Sequence, residues 1–193
     1  MRERILGRIQ RALEHRPRLA APDSLAPLRL TAEEALNLFT ARLIENGGEV
    51  VRLEGLEAAQ DWLGEFSQTF SGVAVSRTLP SALYPRLPTM PPAEAPLGVS
   101  WAIGAVAETG TVLLSSLEGR LTQLLPPSHL VFVSQDKIYP SLLAALEALK
   151  PDLPSAVGLH SGPSKSADIG QVMVKGVHGP GRLVVVVLSG VQG

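Results

Sequence analysis

The sequence predicts an α/β fold, a mostly parallel sheet flanked by helices and preceded by an N-terminal helical segment. Three observations carry that prediction. Stretches with helical and with strand periodicity alternate between Thr31 and Ser76. Leu183 to Leu188 reads Leu-Val-Val-Val-Val-Leu, which has no polar face and fits a central strand buried on both sides. The chain has 193 residues, 45% hydrophobic and 18% charged, enough for one packed domain. Aromatic residues make up only 4%, so the core is expected to consist of Leu, Val, Ala and Ile.

Residues 1–30 read as a basic helix and a linker, and residues 31–193 as the α/β domain. Arg2, Arg4, Arg8, Arg11, Arg16 and Arg18 crowd the start, while Ile5, Ile9 and Leu13 recur every four residues beside Leu6 and Ala12. That spacing makes one apolar stripe on a helix, ended by Pro17 and Pro22. Glu3 and Glu14 interrupt the basic face, which favours a stripe resting on its own domain over one that docks on a partner or an anionic surface. Thr31 before Ala32, Glu33 and Glu34 is an N-cap with acids in the first turn. Leu36, Phe39, Leu43 and Ile44 supply the apolar face of that helix, and Asn46-Gly47-Gly48 stops it. Glu49–Leu53 reads as a strand, Leu56–Phe70 as a helix and Gly72–Ser76 as a short strand. Six prolines between residues 80 and 96 exclude regular structure there. Such a segment is either a lid or a passive wrap. Val99–Ala107, Thr111–Leu114, His129–Ser134 and Val157–His160 read as strands. Ile138–Leu149 reads as a helix with Pro140 in its first turn.

Several function classes are excluded or disfavoured by composition. Lys and Arg number 17 and Asp and Glu 18, for a net charge of −1, without the cationic excess of a general nucleic-acid binder. The absence of cysteine removes disulfides, thiolate nucleophiles and thiolate ligands for zinc or iron–sulfur clusters. It also fits a reducing compartment, and no secretory signal pattern stands at the start, so a cytoplasmic location is expected. No apolar run is long enough to predict a membrane-spanning helix.

Three segments offer chemistry. In Ala107-Glu108-Thr109-Gly110-Thr111 a tight turn would project the Glu108 carboxylate at a sheet end, where ligands of α/β folds sit, with two threonine hydroxyls and free turn amides beside it. From pattern alone, a hairpin with a solvated Glu108 accounts for the segment equally simply and is favoured. In His160-Ser161-Gly162-Pro163-Ser164-Lys165-Ser166-Ala167-Asp168-Ile169 a Gly/Ser loop carries one lysine. Ser164 or Ser166 could cap a short helix whose amides attract a phosphate or carboxylate, and Asp168 could orient a hydroxyl. Ser164 precedes the lysine where a phosphate-binding P-loop requires glycine. In Val177-His178-Gly179-Pro180-Gly181-Arg182, His178 could donate a proton or hydrogen bond, in what is also an ordinary turn. His15, His129 and His160 lack metal-ligand spacing, so no metal site is expected, and Ser115-Ser116 lack a nucleophile elbow.

In this order the segments resemble the LUD-domain family, in its C-type lactate-utilization branch. The resemblance runs over residues 98–188 and also takes in Leu125-Pro126-Pro127-Ser128-His129 before Val131-Phe132-Val133, and Gly176-Val177-His178-Gly179-Pro180 before Leu183-Val184-Val185. Met1-Arg2-Glu3-Arg4-Ile5-Leu6 is similar to the family's opening helix. The resemblance implies a fold of the NagB/RpiA/CoA-transferase-like group. It also implies a role in a system that oxidises L-lactate to pyruvate with iron–sulfur protein partners. Lacking cysteine, this chain is expected to bind no cofactor of its own, the cluster belonging to a partner subunit. Gly170-Gln171 stand where the family carries an acidic residue, so no carboxylate role falls at position 170.

Together these readings place a small-anion pocket where the three loops meet. Its expected lining is Glu108, Thr109, Gly110, Thr111, Gly162, Pro163, Ser164, Lys165, Ser166, Asp168, His178 and Gly179, with Glu108, Asp168 and His178 the candidates for catalysis. Whether the chain is itself an enzyme stays open at this point. One alternative is a stand-alone transferase or ligase acting on a CoA, nucleotide or phosphorylated substrate, with Glu108 as nucleophile. Another is a non-catalytic scaffold that docks a redox partner through the N-terminal helix.

Overall fold

A computed structural model describes residues 2–14, 28–167 and 173–191. In chain order the helices are α1 (Arg2–Glu14), α2 (Ala32–Glu45), α3 (Gly55–Ser67), α4 (Arg120–Leu124) and α5 (Leu142–Leu149). The strands are β1 (Glu49–Glu54), β2 (Val73–Val75), β3 (Leu97–Trp101), β4 (Gly104–Val106), β5 (Thr111–Ser115), β6 (Ser128–Ser134), β7 (Ile138–Tyr139), β8 (Val157–His160), β9 (Lys165–Ala167), β10 (Met173–Lys175) and β11 (Arg182–Ser189). Five strands form a wholly parallel sheet in the order β1-β11-β6-β3-β2. Four more, β7-β4-β5-β8, form a mixed sheet, and β9 and β10 make a separate hairpin.

The apolar run of β11 lies where its composition requires. β1 and β6 pair with it on either side, and Leu183 to Leu188 are buried. Alternation along each strand splits these residues between two cores. Leu183, Val185 and Val187, with Val131 and Val133 of β6, face α2 and the mixed sheet. Val184, Val186 and Leu188, with Leu130 and Phe132, face α3. A third, smaller cluster joins the far side of the mixed sheet (Val106, Leu113) to Ala145 of α5. The layers therefore run α3, parallel sheet, mixed sheet with α2 alongside, α5.

Local chemistry sets the ends of α2. Glu34 N–H donates to Thr31 Oγ1 (3.2 Å) and Thr31 N–H donates back to Glu34 Oε2 (2.8 Å), a capping box. At the other end Gly47 is left-handed, its N–H donates to the Ile44 carbonyl (2.8 Å), and Gly48 N–H donates to the Leu43 carbonyl (2.9 Å). Those two bonds are a Schellman closure, which the Asn46-Gly47-Gly48 sequence predicts.

Four expectations need correction. Val99–Ala107 is two strands, because the chain changes sheets in the middle. Ala102 N–H donates to Phe132 of the parallel sheet (2.8 Å), and Ile103 N–H donates to Leu113 of the mixed sheet (2.9 Å). Ile138–Leu149 is not one helix. Ile138–Tyr139 pairs with β4, and Ser141 caps a helix that begins at Leu142, so Pro140 lies outside it. Neither Ser164 nor Ser166 caps a helix, because Lys165–Ala167 pairs antiparallel with Met173–Lys175. Finally, the stripe of α1 does not rest on the domain. Ile5, Leu6 and Ile9 are 54%, 48% and 50% exposed. The expected breaker Pro17 lies outside the described residues.

The proline-rich segment is a pinned wrap. Val73 N–H donates to the Pro88 carbonyl (3.0 Å) and Met90 N–H to the Val73 carbonyl (2.9 Å), while Leu83 and Ala95 are buried. It covers the edge left open by β2.

Gly110 (φ +62°) joins the mixed sheet to α2, and a β-carbon there would stand 2.4 Å from Leu43 N. Gly110→Ala is expected to lower stability by about 2 kcal/mol or more. Gly64→Ala, in open space on α3, is expected to raise it by up to about 1 kcal/mol. Denaturant titration reads both, and a Gly110→Ala protein as stable as the parent would show that this turn does not seat on α2.

Candidate functional site

The three motif loops meet. Thr111, which opens β5, shares a hydrogen bond with Ser161 after β8 (2.6 Å between hydroxyls), and Thr109 extends the chain to Thr111 (2.7 Å). Ser164 ties the second loop to the third. Its N–H donates to the Pro180 carbonyl (2.8 Å), its carbonyl accepts from Gly176 N–H (2.9 Å), and its hydroxyl accepts from His178 N–H (3.4 Å). The end of α2 completes the junction. Asn46 Nδ2 donates to the Thr109 carbonyl (3.1 Å), and Lys165 Nζ donates to the Asn46 carbonyl.

The sequence reading set the loops at an end of the sheet, and the junction lies against the start of β1 and β11, the amino edge of the parallel sheet. Many of its donors are also engaged. Glu108 is exposed, and its Oε1 accepts from Leu142 N–H (2.8 Å) at the start of α5. The turn amide of Gly110 donates to the Ala107 carbonyl (3.3 Å). Lys165 sits on the carbonyl end of α2, where the helix dipole already attracts it. Gly162 (φ +141°) presses on Asn46, leaving 2.7 Å between a would-be β-carbon and the Asn46 carbonyl oxygen. Pro163 is buried, Ser166 pairs with Val174 in the hairpin, and Gly179 packs on Ser164. The His178 side chain is exposed. Asp168 lies outside the described residues.

At the carboxyl edge, a cavity of about 510 Å³ opens beyond β6 and β11, lined by Ser134, Gln135, Asp136 and Ser189 to Val191 among others. The Ser134 hydroxyl donates between two acceptors there, Asp136 Oδ1 and the Val191 carbonyl. Sequence reasoning missed this place, because a Ser-Gln-Asp after a strand carries no motif.

It also missed a polar cluster between the two sheets. His129 of β6 is fully buried and faces the mixed sheet, with Nε2 2.9 Å from Ser100 Oγ of β3. The His160 ring of β8 meets it edge-on at 5.9 Å between centroids. His129 Nδ1 has no partner among the described residues. Burial, aided by the nearby His160, pulls the His129 pKa down to about 3. Burial lowers His160 as well. Both rings are therefore neutral near pH 7. Nearby, Glu118 is buried with Oε2 unpartnered, and burial raises its pKa against the opposing influence of Ser76 and the Trp101 backbone. No group of three or more metal-ligating side chains occurs among the described residues. The 31-residue gap between His129 and His160 hid their pairing, which only the stacking of β8 over β6 creates.

The histidine shift makes stability depend on pH. As pH falls below about 6.5 the unfolded chain takes up a proton that folded His129 refuses until about pH 3. Its contribution is complete above that window and is lost progressively within it, by on the order of a few kcal/mol. His160 adds in the same direction, and Glu118, shifted upward, opposes both. Unfolding titrations across the window should show a stability slope that His129→Gln flattens. An unchanged slope in that variant would exclude His129 as its source.

Residues 93–188 match the family model for the LUD domain. The chain is 38% identical over 103 residues to lactate utilization protein C 1 of Bacillus mycoides, covering 49% of this chain and 44% of that protein. It is 33% identical over 104 residues to lactate utilization protein C of Bacillus subtilis, covering 50% and 43%. The match thus spans less than half the length of these curated relatives. A crystal structure of a DUF162 family protein from Deinococcus radiodurans superposes with a TM-score of 0.65 at 21% identity, covering 83% of this chain and 99% of that one. That likeness establishes the fold.

Proposed function

The chain belongs to the LUD-domain family, and from that premise we propose that it serves a lactate-utilization system. The observation that carries the reading is the match of residues 93–188 together with relatives named for lactate utilization. The matched span contains the three loops that meet at Thr111, Ser161 and Ser164. In its finer form the chain is a cytoplasmic subunit of an assembly that oxidises L-lactate to pyruvate, and its LUD domain takes a small anion or cofactor. Among the described residues no helix is long and apolar enough to cross a membrane.

Oxidation of lactate takes a hydride equivalent from the carbinol carbon and a proton from its oxygen. Without cysteine this chain offers no thiolates to an iron–sulfur cluster. The electrons pass, in this reading, to a cluster held by a partner subunit, and this chain binds and orients. Deleting the gene should abolish growth on L-lactate and leave growth on pyruvate intact, with recovery on complementation. Normal growth on L-lactate in a deletant without a paralogue would overturn the reading.

A second reading, compatible with the first, is a scaffold. It is favoured by the exposed Ile5, Leu6 and Ile9 of α1. Removing residues 1–18 should sharply reduce recovery of the iron–sulfur subunit in a pull-down. Unchanged recovery would eliminate α1 as the dock.

A further inference from the structure

We infer that a small cavity between α4 and β8 is a binding site for a short 2-hydroxy acid, held by Arg120, Gln123 and His160. The cavity, of about 150 Å³, is lined by these three residues with Ser116, Leu124 and Gly158 among others. It falls well below the roughly 300 Å³ at which sites for larger organic ligands begin, which excludes a nucleotide or CoA. There is room for an acid of three or four carbons.

Gly158 keeps the cavity open. A β-carbon there would lie 2.9 Å from His160 Nε2 and 3.3 Å from Gln123 Oε1, so both polar atoms converge on the same space. Gln123 is buried, and its Nε2 already donates to the Ser115 carbonyl (2.9 Å), which fixes the amide and leaves Oε1 as an acceptor. The His160 side chain makes no hydrogen bond among the described residues, and the buried His129 backs its ring. Arg120 is exposed at the same cavity, and no carboxylate pairs with it among the described residues. Glu118, which lines the adjoining hollow with Arg120, forms no ion pair with it.

These groups define the ligand by complement. Gln123 Oε1 needs a donor, which a hydroxyl supplies. Neutral His160 holds either side of that hydroxyl. The Arg120 guanidinium takes a carboxylate, for which its planar fork is suited. A plain carboxylic acid would leave Gln123 Oε1 desolvated and unpaired, at a cost in affinity. The cavity itself calls for a small acid that also carries a hydroxyl. Placing that hydroxyl on carbon 2, as in the system's own substrate, is the one clause that rests on the lactate-utilization reading.

The test uses the whole chain and sodium L-lactate, with sodium propionate as the analogue lacking the hydroxyl. Imidazole resonances and calorimetry follow binding. Saturable L-lactate binding that moves the His160 resonance is expected, with propionate at least about tenfold weaker. Arg120→Gln, at an exposed position, and Gly158→Ala, which fills the cavity, should each weaken lactate by about tenfold or more. The proposal is overturned by absence of saturable lactate binding, by propionate binding as tightly, or by unchanged affinity in Arg120→Gln. Because the readout is binding by the isolated chain, it can fail while the growth phenotype stands, or succeed while that phenotype is absent.

Discussion

Two-sided burial of β11 is the constraint on which the rest of the structure depends. A strand with no polar face cannot lie at a sheet edge or over solvent, so it needs a partner on each side and a layer on each face. β1 and β6 supply the partners. α3 covers one face, and α2 with the mixed sheet covers the other. Each fully buried Val or Leu contributes roughly 1.5–3 kcal/mol, so the six residues from Leu183 to Leu188 outweigh any single hydrogen bond described above. Once β11 is fixed, β6 is fixed in register with it. His129 then necessarily points from β6 into the gap between the sheets, because it pairs with Leu183 and shares its face.

Closing that gap requires backbone to approach backbone at three places, and the chain puts glycine at each. Gly98 lies against α4, where a β-carbon would stand 2.5 Å from the Thr122 carbonyl oxygen. Gly110 lies against Leu43, and Gly162 against Asn46. The first seats α4 over β3, and the other two seat the motif loops on the end of α2. Much of what reads as a ligand loop is thus engaged in assembly. Lys165 satisfies a helix carbonyl, Ser164 staples two loops, and Glu108 caps α5. Other polar groups, the His160 ring, Gln123 Oε1 and the Arg120 guanidinium, line the cavity between α4 and β8 instead.

The legible and illegible parts of the sequence divide along the range of the interactions. Thr31 with Glu34, and Asn46-Gly47-Gly48, act within one helical turn, and both ends of α2 follow from them. The face alternation of β11 is equally local. By contrast, Val99 to Ala107 is apolar except for Ser100 and buried almost everywhere, so no periodicity marks the crossing at Ala102–Ile103 from one sheet to the other. Ile138 to Leu149 keeps helical spacing only from Leu142 onward, and the two residues of β7 are strand because β4 is there to pair with them. The loop junction was legible as a set of motifs but not as a place. Nothing in the order of segments shows that the loops gather at the amino edge of the parallel sheet.

The pairing of His129 and His160 conflicts with the packing around it. Apolar side chains, mostly Leu, Val and Ala, make up the core on that face of the parallel sheet, and an apolar side chain at either position would cost less than a desolvated imidazole. Sequences keep such violations of local consistency chiefly where a site needs them. Here the cost is limited because both rings stay uncharged, and Ser100 satisfies one nitrogen of His129. A neutral imidazole at the cavity wall can accept or give a proton in a hydrogen bond without drawing in a counter-ion. The charge needed to hold an acid is then left to Arg120, out at the solvent edge where it is cheaply hydrated before binding. Separating the uncharged recognition at Gln123 and His160 from the single cation at the rim lets a polar site exist beside a core built largely of Val, Leu and Ala.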